Sequence, residues 1–417
     1  MPYLNMNGLF AGMESMLEGD VEINNNVTAP DAESPAAIND AIEDENTAAE
    51  GTEIEKDAEQ EATEAEMIAA GLKQACNMYD HVKKFGVDRS FLSLYNSDGG
   101  LSMMIGAKFP ACESMDAVGD PSSSYSRAFI EAMESGDGLW EKFTNFLRKI
   151  ADHVRDFFRK IWDWLAESFG SITRKIGSLR KAVKESTLKS DDKRKDKKAN
   201  LYDLGKLDEA KKALTEHADK SITKITGNVK DNANDILIVV KNYADHGPSA
   251  IYGNSVSAFG YNSDKKKFKD DVTKPLEDEV KDLVKKVKDL SRKDEDFDNK
   301  YTNLDSWLAS AEALVNLNYK WKDSLKIFNT SGDMLKAAAQ RASQMQTGES
   351  LSSESLRNLS SEASQISKQT SLMGKVCAAC PKLASMYCKN TAEVLSAWYE
   401  SKSMGTNVAA ADNRKPN

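Results

Sequence analysis

From residue 138 to 183, apolar side chains recur at Trp140, Phe143, Leu147, Ile150, Val154, Phe157, Ile161 and Leu165, in steps of three and four. Such steps are the a and d spacing of a heptad pattern, and they place these side chains on one stripe of a helix. Phe146, Phe158, Trp162 and Trp164 widen that stripe. The pattern resumes through Phe169, Ile172, Ile176, Leu179 and Val183 after an extra four-residue step, which shifts the register as a stutter does. Gly170, inside the shift, predicts a kink or break.

Helical periodicity also appears from Met67 to about Val87, with Met67, Leu72, Cys76, Tyr79 and Val82 as inward positions. It returns near Ser126 and predicts further helices near 206–245, 267–296, 299–328, 331–346, 351–372 and 374–402. In "DDVTKPLEDEVKDLVKKVKDLSRK", Pro275 fits a first helical turn, and Leu276, Val280, Leu283, Val284, Val287 and Leu290 form a narrow stripe. Residues 86–124 read as loop, with Gly99, Gly100, Pro110 and Pro121 as breakers and a short hairpin around Asn96–Gly99. Residues 185–200 read as a charged linker, and 247–265 as a Gly/Ser/Asn loop. Strands and helices do not alternate, which argues against an α/β nucleotide fold.

Residues 20–66 depart from this pattern. They hold no aromatic and few large apolar side chains, so too little surface can be buried to offset the entropy of ordering. Disorder or weak helix is predicted there. Residues 1–66 carry 18 acidic side chains against Lys56 alone, a net of −17, whereas 67–417 carry 55 basic against 48 acidic, a net of +7. An acidic leader thus precedes a mildly basic body. It is either a solubilising tail or a removable segment that masks the charge of the body until it is cut off.

Composition narrows the function classes. Nine prolines in 417 residues leave room for long helices. No apolar run is long enough for a spanning helix, and "MPYLNMNGLFAGMESMLEGD" lacks the basic start of a secretory signal. Five cysteines, an odd number, argue for a reducing compartment rather than a disulfide framework. His81, His153, His217 and His246 are scattered, and no P-loop, GxGxxG or HExxH occurs, so neither an enzyme nor a cofactor is expected. Cys377-Ala-Ala-Cys380, followed by Cys388, has metal-like spacing. No histidine lies near it, and Leu372, Val376, Leu383, Met386 and Tyr387 place it on an amphipathic helix, so buried thiols are expected there rather than a metal site.

Basic residues gather on the aromatic stretch: residues 138–200 hold 17 Lys and Arg against 9 Asp and Glu. Lys142, Arg148, Lys149, Arg155, Arg159 and Lys160 are candidates for a DNA- or membrane-facing surface. Phosphate contact needs only Lys and Arg on an exposed face. A membrane-surface helix combines a wide apolar face with basic flanks. A core helix with a wet basic side has the same pattern. Asp152, Asp156, Asp163 and Glu167 interrupt the basic face, and all three readings stay open.

The order of segments adds a further lead. "GMESMLEGDVE", the acidic low-complexity leader, "LSLYNSDGGLSMMIGAKFPACESMDAVGD" and "LWEKFTNFLRKIADHVRDFFRKIWDWL" running into "SITRKIGSLRKAV" follow one another over roughly residues 1–185. This arrangement resembles the internal head (inner capsid) proteins of large tailed bacteriophages. The resemblance implies packaging in the prohead and trimming by a phage prohead protease after the glutamate of a small-X-Glu triplet. Triplets of this kind occur at 12–14, 41–43, 48–50, 51–53, 62–64, 111–113, 132–134, 310–312 and 352–354. Ala111-Cys112-Glu113 stands out because it follows Pro110 among breakers, and a protease needs an extended, accessible chain. A cut between Glu113 and Ser114 would remove 22 acidic and 6 basic residues and leave 50 basic against 44 acidic, a net of +6.

The expectation is an all-α, elongated helical bundle with coiled-coil-like helices behind a disordered acidic N-terminal leader. Residues 1–113 form the leader or propeptide with a short helix at 67–87, 114–200 the amphipathic aromatic-basic helical region, and 201–417 a C-terminal helical domain. The expected role is a structural internal virion protein of the prohead core, matured by proteolysis and packaged with phage DNA. Its partners would be the prohead protease, other head and core proteins, packaged DNA through non-specific charge contacts, and further copies of itself through helices. It would pass from the host cytoplasm to the virion interior. The alternatives are a membrane-active amphipathic-helix effector and a cytoplasmic coiled-coil scaffold.

Overall fold

The computed structural model describes residues 38, 39, 41, 46–88, 91, 119–134, 138–187, 198–246, 263–296, 304–344 and 353–412. Among these the chain is all-α apart from one ribbon. The helices are α1 (Asn46–Phe85), α2 (Ser124–Glu134), α3 (Leu139–Thr187), α4 (Leu204–His246), α5 (Ser263–Lys288), α6 (Leu304–Ser343) and α7 (Ser353–Asp412). The strands β1 (Lys198–Tyr202) and β2 (Arg292–Asp296) pair antiparallel, Lys198 opposite Asp296 and Tyr202 opposite Arg292.

The aromatic stripe is core. Phe143, Leu147, Ile150, Val154, Phe157, Ile161 and Leu165 are all buried on α3. Trp140 is partly buried, and its indole Nε1 donates to the Ala342 carbonyl at 2.9 Å, near the C-terminus of α6, where helical carbonyls lack partners. α3 and α6 run antiparallel: the rings of Phe157 and Phe328 are 5.9 Å apart, and Arg180 pairs with Glu312 at 2.5 Å. The helix passes through Gly170 without a break. Phe169 and Ile172 on either side are both buried, so tertiary packing outweighs the weak helix propensity of one glycine.

α7 is the hub. At 60 residues it spans about 90 Å at 1.5 Å per residue, and it packs against α1, α3, α4, α5, α6 and β1. The two helices expected at 351–372 and 374–402 are one, continuous through Gly374 and Pro381. Gly374 allows the close approach, since a Cβ there would meet Cε2 of Phe157 at 3.1 Å. α7 buries polar as well as apolar side chains, among them Ser360, Ser364, Ser367, Thr370 and Thr391. Ser360 and Thr370 bond back to the carbonyls of Leu356 and Ile366 within their own helix, at 2.6 and 2.8 Å. α6 likewise joins the helices expected at 299–328 and 331–346. Gly332 within it lies against the Arg155 stem, where a Cβ would come 2.5 Å from Cγ.

The acidic leader needs correction. Its second half is not disordered: α1 starts at Asn46, well before the expected onset at residue 67, and runs as one helix of 40 residues. Ala58, Ala62, Ala65 and Ala69 are buried on its inner face, followed by Leu72, Cys76, Met78 and Val82. Met67, expected to point inward, is 57% exposed. α1 lies along α7 and α3 and belongs to the same hydrophobic core. At its end Gly86 adopts φ +79°, and its N–H donates to the Val82 carbonyl at 2.9 Å, a left-handed helix stop that favours glycine. The Val87 N–H then donates to Ser126 Oγ at 3.0 Å and ties the chain to α2.

The ribbon was not legible as strands. Lys198–Tyr202 falls partly in the expected linker, and Arg292–Asp296 at the end of an expected helix. α5 starts at Ser263, well ahead of Pro275, and ends at Lys288. Asn390 of α7, fully buried, fastens the ribbon: Oδ1 accepts from the Tyr202 N–H at 2.8 Å, and Nδ2 donates to the Tyr202 carbonyl at 3.2 Å. The proposed hairpin near Asn96 and the cleavage residues Ala111, Cys112, Glu113 and Ser114 lie outside the described residues.

Candidate charge-masked surface

α1 lies antiparallel to α7 and to α3, in the groove between them. Its carboxylates meet a row of cations on each side. On α7, Glu55 pairs with Lys382 at 3.5 Å, Glu59 with Lys375 at 3.1 Å, and Glu66 with Lys368 at 3.6 Å. Further along, Asp80 pairs with Arg357 at 2.9 Å, and the same guanidinium donates to Asn77 Oδ1 at 2.7 Å. On α3, Asp57 pairs with Lys160 at 3.2 Å, and Glu64 pairs with Lys149. Lys368 also binds Glu277 of α5 at 2.7 Å, and these carboxylates raise its pKa against the opposing effect of burial.

Burial differs between the two rows. The side chains of Lys375 and Lys382 are 18% and 19% exposed, whereas Lys160 and Asp57 are each 54% exposed. Pairs as exposed as the latter contribute between zero and about 1 kcal/mol each. Removing one partner of an enclosed pair costs more, because the other charge is left desolvated. Among these pairs only Glu55–Lys382 is enclosed on both sides, since Glu59 and Glu66 are 60% and 50% exposed.

Two clefts open on the α3 side. One of about 600 Å³ opens between α1 and α3, lined in part by Asp57, Glu61, Lys149, Asp152, His153 and Lys160. A second of about 500 Å³ follows, lined in part by Met67, Ile68, Leu72, Lys142 and Phe146. His153 Nε2 is buried in the first without a hydrogen-bond partner among the described residues. Burial pushes this imidazole down to about 4; Asp156 opposes that shift, and Lys149 and Lys160 add to it.

The six basic residues singled out on α3 do not form one open stripe. Lys149 and Lys160 face α1. Arg155 turns to Asp333 of α6 at 3.5 Å, and Lys142 lines the second cleft. Arg148 and Arg159 are exposed and bond to neighbours on their own helix, Asn145 at 2.8 Å and Asp156 at 3.2 Å. Sequence reasoning missed Lys368, Lys375 and Lys382. Their seven-residue spacing on a helix otherwise rich in small residues is the signal that could have found them.

Cys76, Cys377, Cys380 and Cys388 are buried free thiols. Burial pushes Cys377 and Cys388 up to about 12, and the Cys380 thiol donates to the Leu314 carbonyl at 3.1 Å. Among the described residues no group of three His, Cys, Asp or Glu is placed to hold a metal ion, and no helix is long and apolar enough to cross a membrane.

No protein family, curated protein or solved structure matches the chain in comparison. The likeness to phage internal head proteins therefore rests on the quoted residues alone.

Proposed function

We propose that this chain is a structural protein of the interior of a tailed-phage head, which enters the prohead with its acidic segment in place and stays with packaged DNA after proteolytic trimming. The observation that carries the reading is the carboxylate-by-lysine match between α1 and the two helices beneath it. The segment that a cut after Glu113 would remove is the one that pairs with Lys149, Lys160, Lys375 and Lys382, and it shares Lys368 with Glu277 of α5. Taking 1–113 away changes the net charge from −10 to +6, the direction that contact with DNA phosphates favours.

The upstream triplets 48–50, 51–53 and 62–64 lie within α1. A helix does not present the extended backbone a protease needs. Cuts at 12–14 or 41–43 would leave the carboxylates of α1 attached, so the cut after Glu113, which removes the whole acidic segment, is favoured. The membrane alternative would need the apolar face of α3 for lipid, and that face is packed into the protein core. Intact mass and N-terminal sequencing of the protein from mature particles test the reading. The expected form begins at Ser114, and Glu113→Gln abolishes it. A particle that carries only the full-length chain would overturn the reading.

A further inference from the structure

We propose that residues 46–66 of α1 are an electrostatic strap over a DNA-binding groove, with the strap carboxylates occupying the positions that DNA phosphates take when the strap lifts. The proposal rests on the reading above that the chain meets DNA, and adds the surface and its control.

The groove has two basic walls. Lys368, Lys375 and Lys382 recur every seven residues along α7, which is about 10.5 Å per step at 1.5 Å per residue. Lys149 and Lys160 line the α3 wall. Because α1 is antiparallel to both helices, the two rows run in the same direction on either side of it. Asp57, Glu59, Glu64 and Glu66 form one chain of negative charge between them. A phosphate backbone offers the same thing: regularly spaced anions that need no particular partner geometry.

α1 changes its mode of attachment partway along. Beyond Ala69 the buried side chains are large: Leu72, Met78 and Val82, with Cys76 between. Before it, the buried apolar positions of the strap are Ala58, Ala62 and Ala65, alongside Gly51 and the carboxylate of Glu55. A buried methyl group contributes about 0.8 kcal/mol, against about 1.5–3 for a Leu or Met side chain. The 600 Å³ cleft opens alongside this half of the helix, between it and α3. The strap is thus held by charge to a greater degree than the rest of α1, and competing anions act on charge. In the uncut chain its C-terminal half stays packed as the anchor.

The test uses the full chain. D57N/E59Q/E64Q/E66Q neutralises the strap, and E131Q/D231N/D278N/D305N makes the same change in net charge at exposed sites elsewhere. Binding to a short fluorescein-labelled DNA duplex is followed by anisotropy over a salt series. The strap variant is expected to bind at least about ten-fold tighter than the control variant. Its slope of log affinity against log salt should be steeper by roughly 3–5, since each neutralised phosphate adds about 0.9. Adding K149Q/K160Q/K375Q/K382Q should remove the gain. Equal binding by strap and control variants, or a gain that survives loss of the lysines, would overturn the proposal.

Hydrogen exchange on the unmodified chain gives a second reading that no misfolded variant can confuse. Saturating duplex should speed exchange in residues 51–66 and leave 72–85 unchanged; no change in 51–66 would sink the strap. Particle-derived protein beginning at Ser114 together with a strap that never lifts would remove this inference and leave the head-protein reading intact. A full-length particle form with a DNA-responsive strap would do the reverse.

Discussion

Gly51 of α1 lies directly against the indole of Trp164 on α3: a methyl group added to Gly51 would overlap the six-membered ring and stand 2.8 Å from its Cη2. This contact brings the acidic helix close to the aromatic stripe where larger residues would hold it off. Gly51→Ala is therefore expected to destabilise the fold by about 1–3 kcal/mol, the usual cost of an overfilled site. The loss should be local. Hydrogen exchange should quicken in residues 51–62 and not in 72–85, and uniform protection of both would show that the contact is slack.

Phe157 is 4% exposed and packs on Phe328 and against Gly374. Phe157→Ala should cost about 3–5 kcal/mol in denaturant unfolding, the range for a buried aromatic truncated to a methyl. A loss below about 1 kcal/mol would show that the α3 stripe is not core. It would also return the membrane-surface reading to contention.

The pH dependence of stability follows from His153. Its folded pKa, near 4, lies below the ordinary 6.5, so between those values the unfolded chain binds the extra proton. Stability from this group is fully present above about pH 6.5 and declines as pH falls towards 4. One pKa unit corresponds to about 1.4 kcal/mol, which caps the effect at roughly 3 kcal/mol. Thermal melts across this window should flatten in His153→Gln, which cannot take the charge. Parallel curves for the two proteins would refute the assignment.

Asn390 holds the β1–β2 ribbon to α7 through both of its amide groups. Asn390→Leu keeps the branched shape, though it is bulkier, and strands the Tyr202 N–H and carbonyl, at a cost of about 1–3 kcal/mol for a buried unsatisfied group. Faster exchange of the Tyr202 amide than of amides in the middle of α7 is the expected signature. If that amide keeps its protection, some other group holds the ribbon in place.

The sequence by itself determined the all-α class, the helical apolar stripe from Phe143 to Leu165 and the charge imbalance between leader and body. Each is a local property. An apolar stripe at helical spacing has few other ways to be buried, and net charge needs no geometry. The tertiary structure alone decided that residues 46–66 form a helix. They carry no large apolar side chain apart from Ile54, so their order depends on alanine methyls and carboxylates finding α7 and α3, far away in the chain. It also decided that α7 is central. Its serines, glycine and cysteines look weakly hydrophobic in sequence, yet small side chains that bond to their own helix let neighbouring helices approach closely on every side. The ribbon and the lysine groove belong to the same class: their partners are separated by long stretches of sequence, and only packing brings them together.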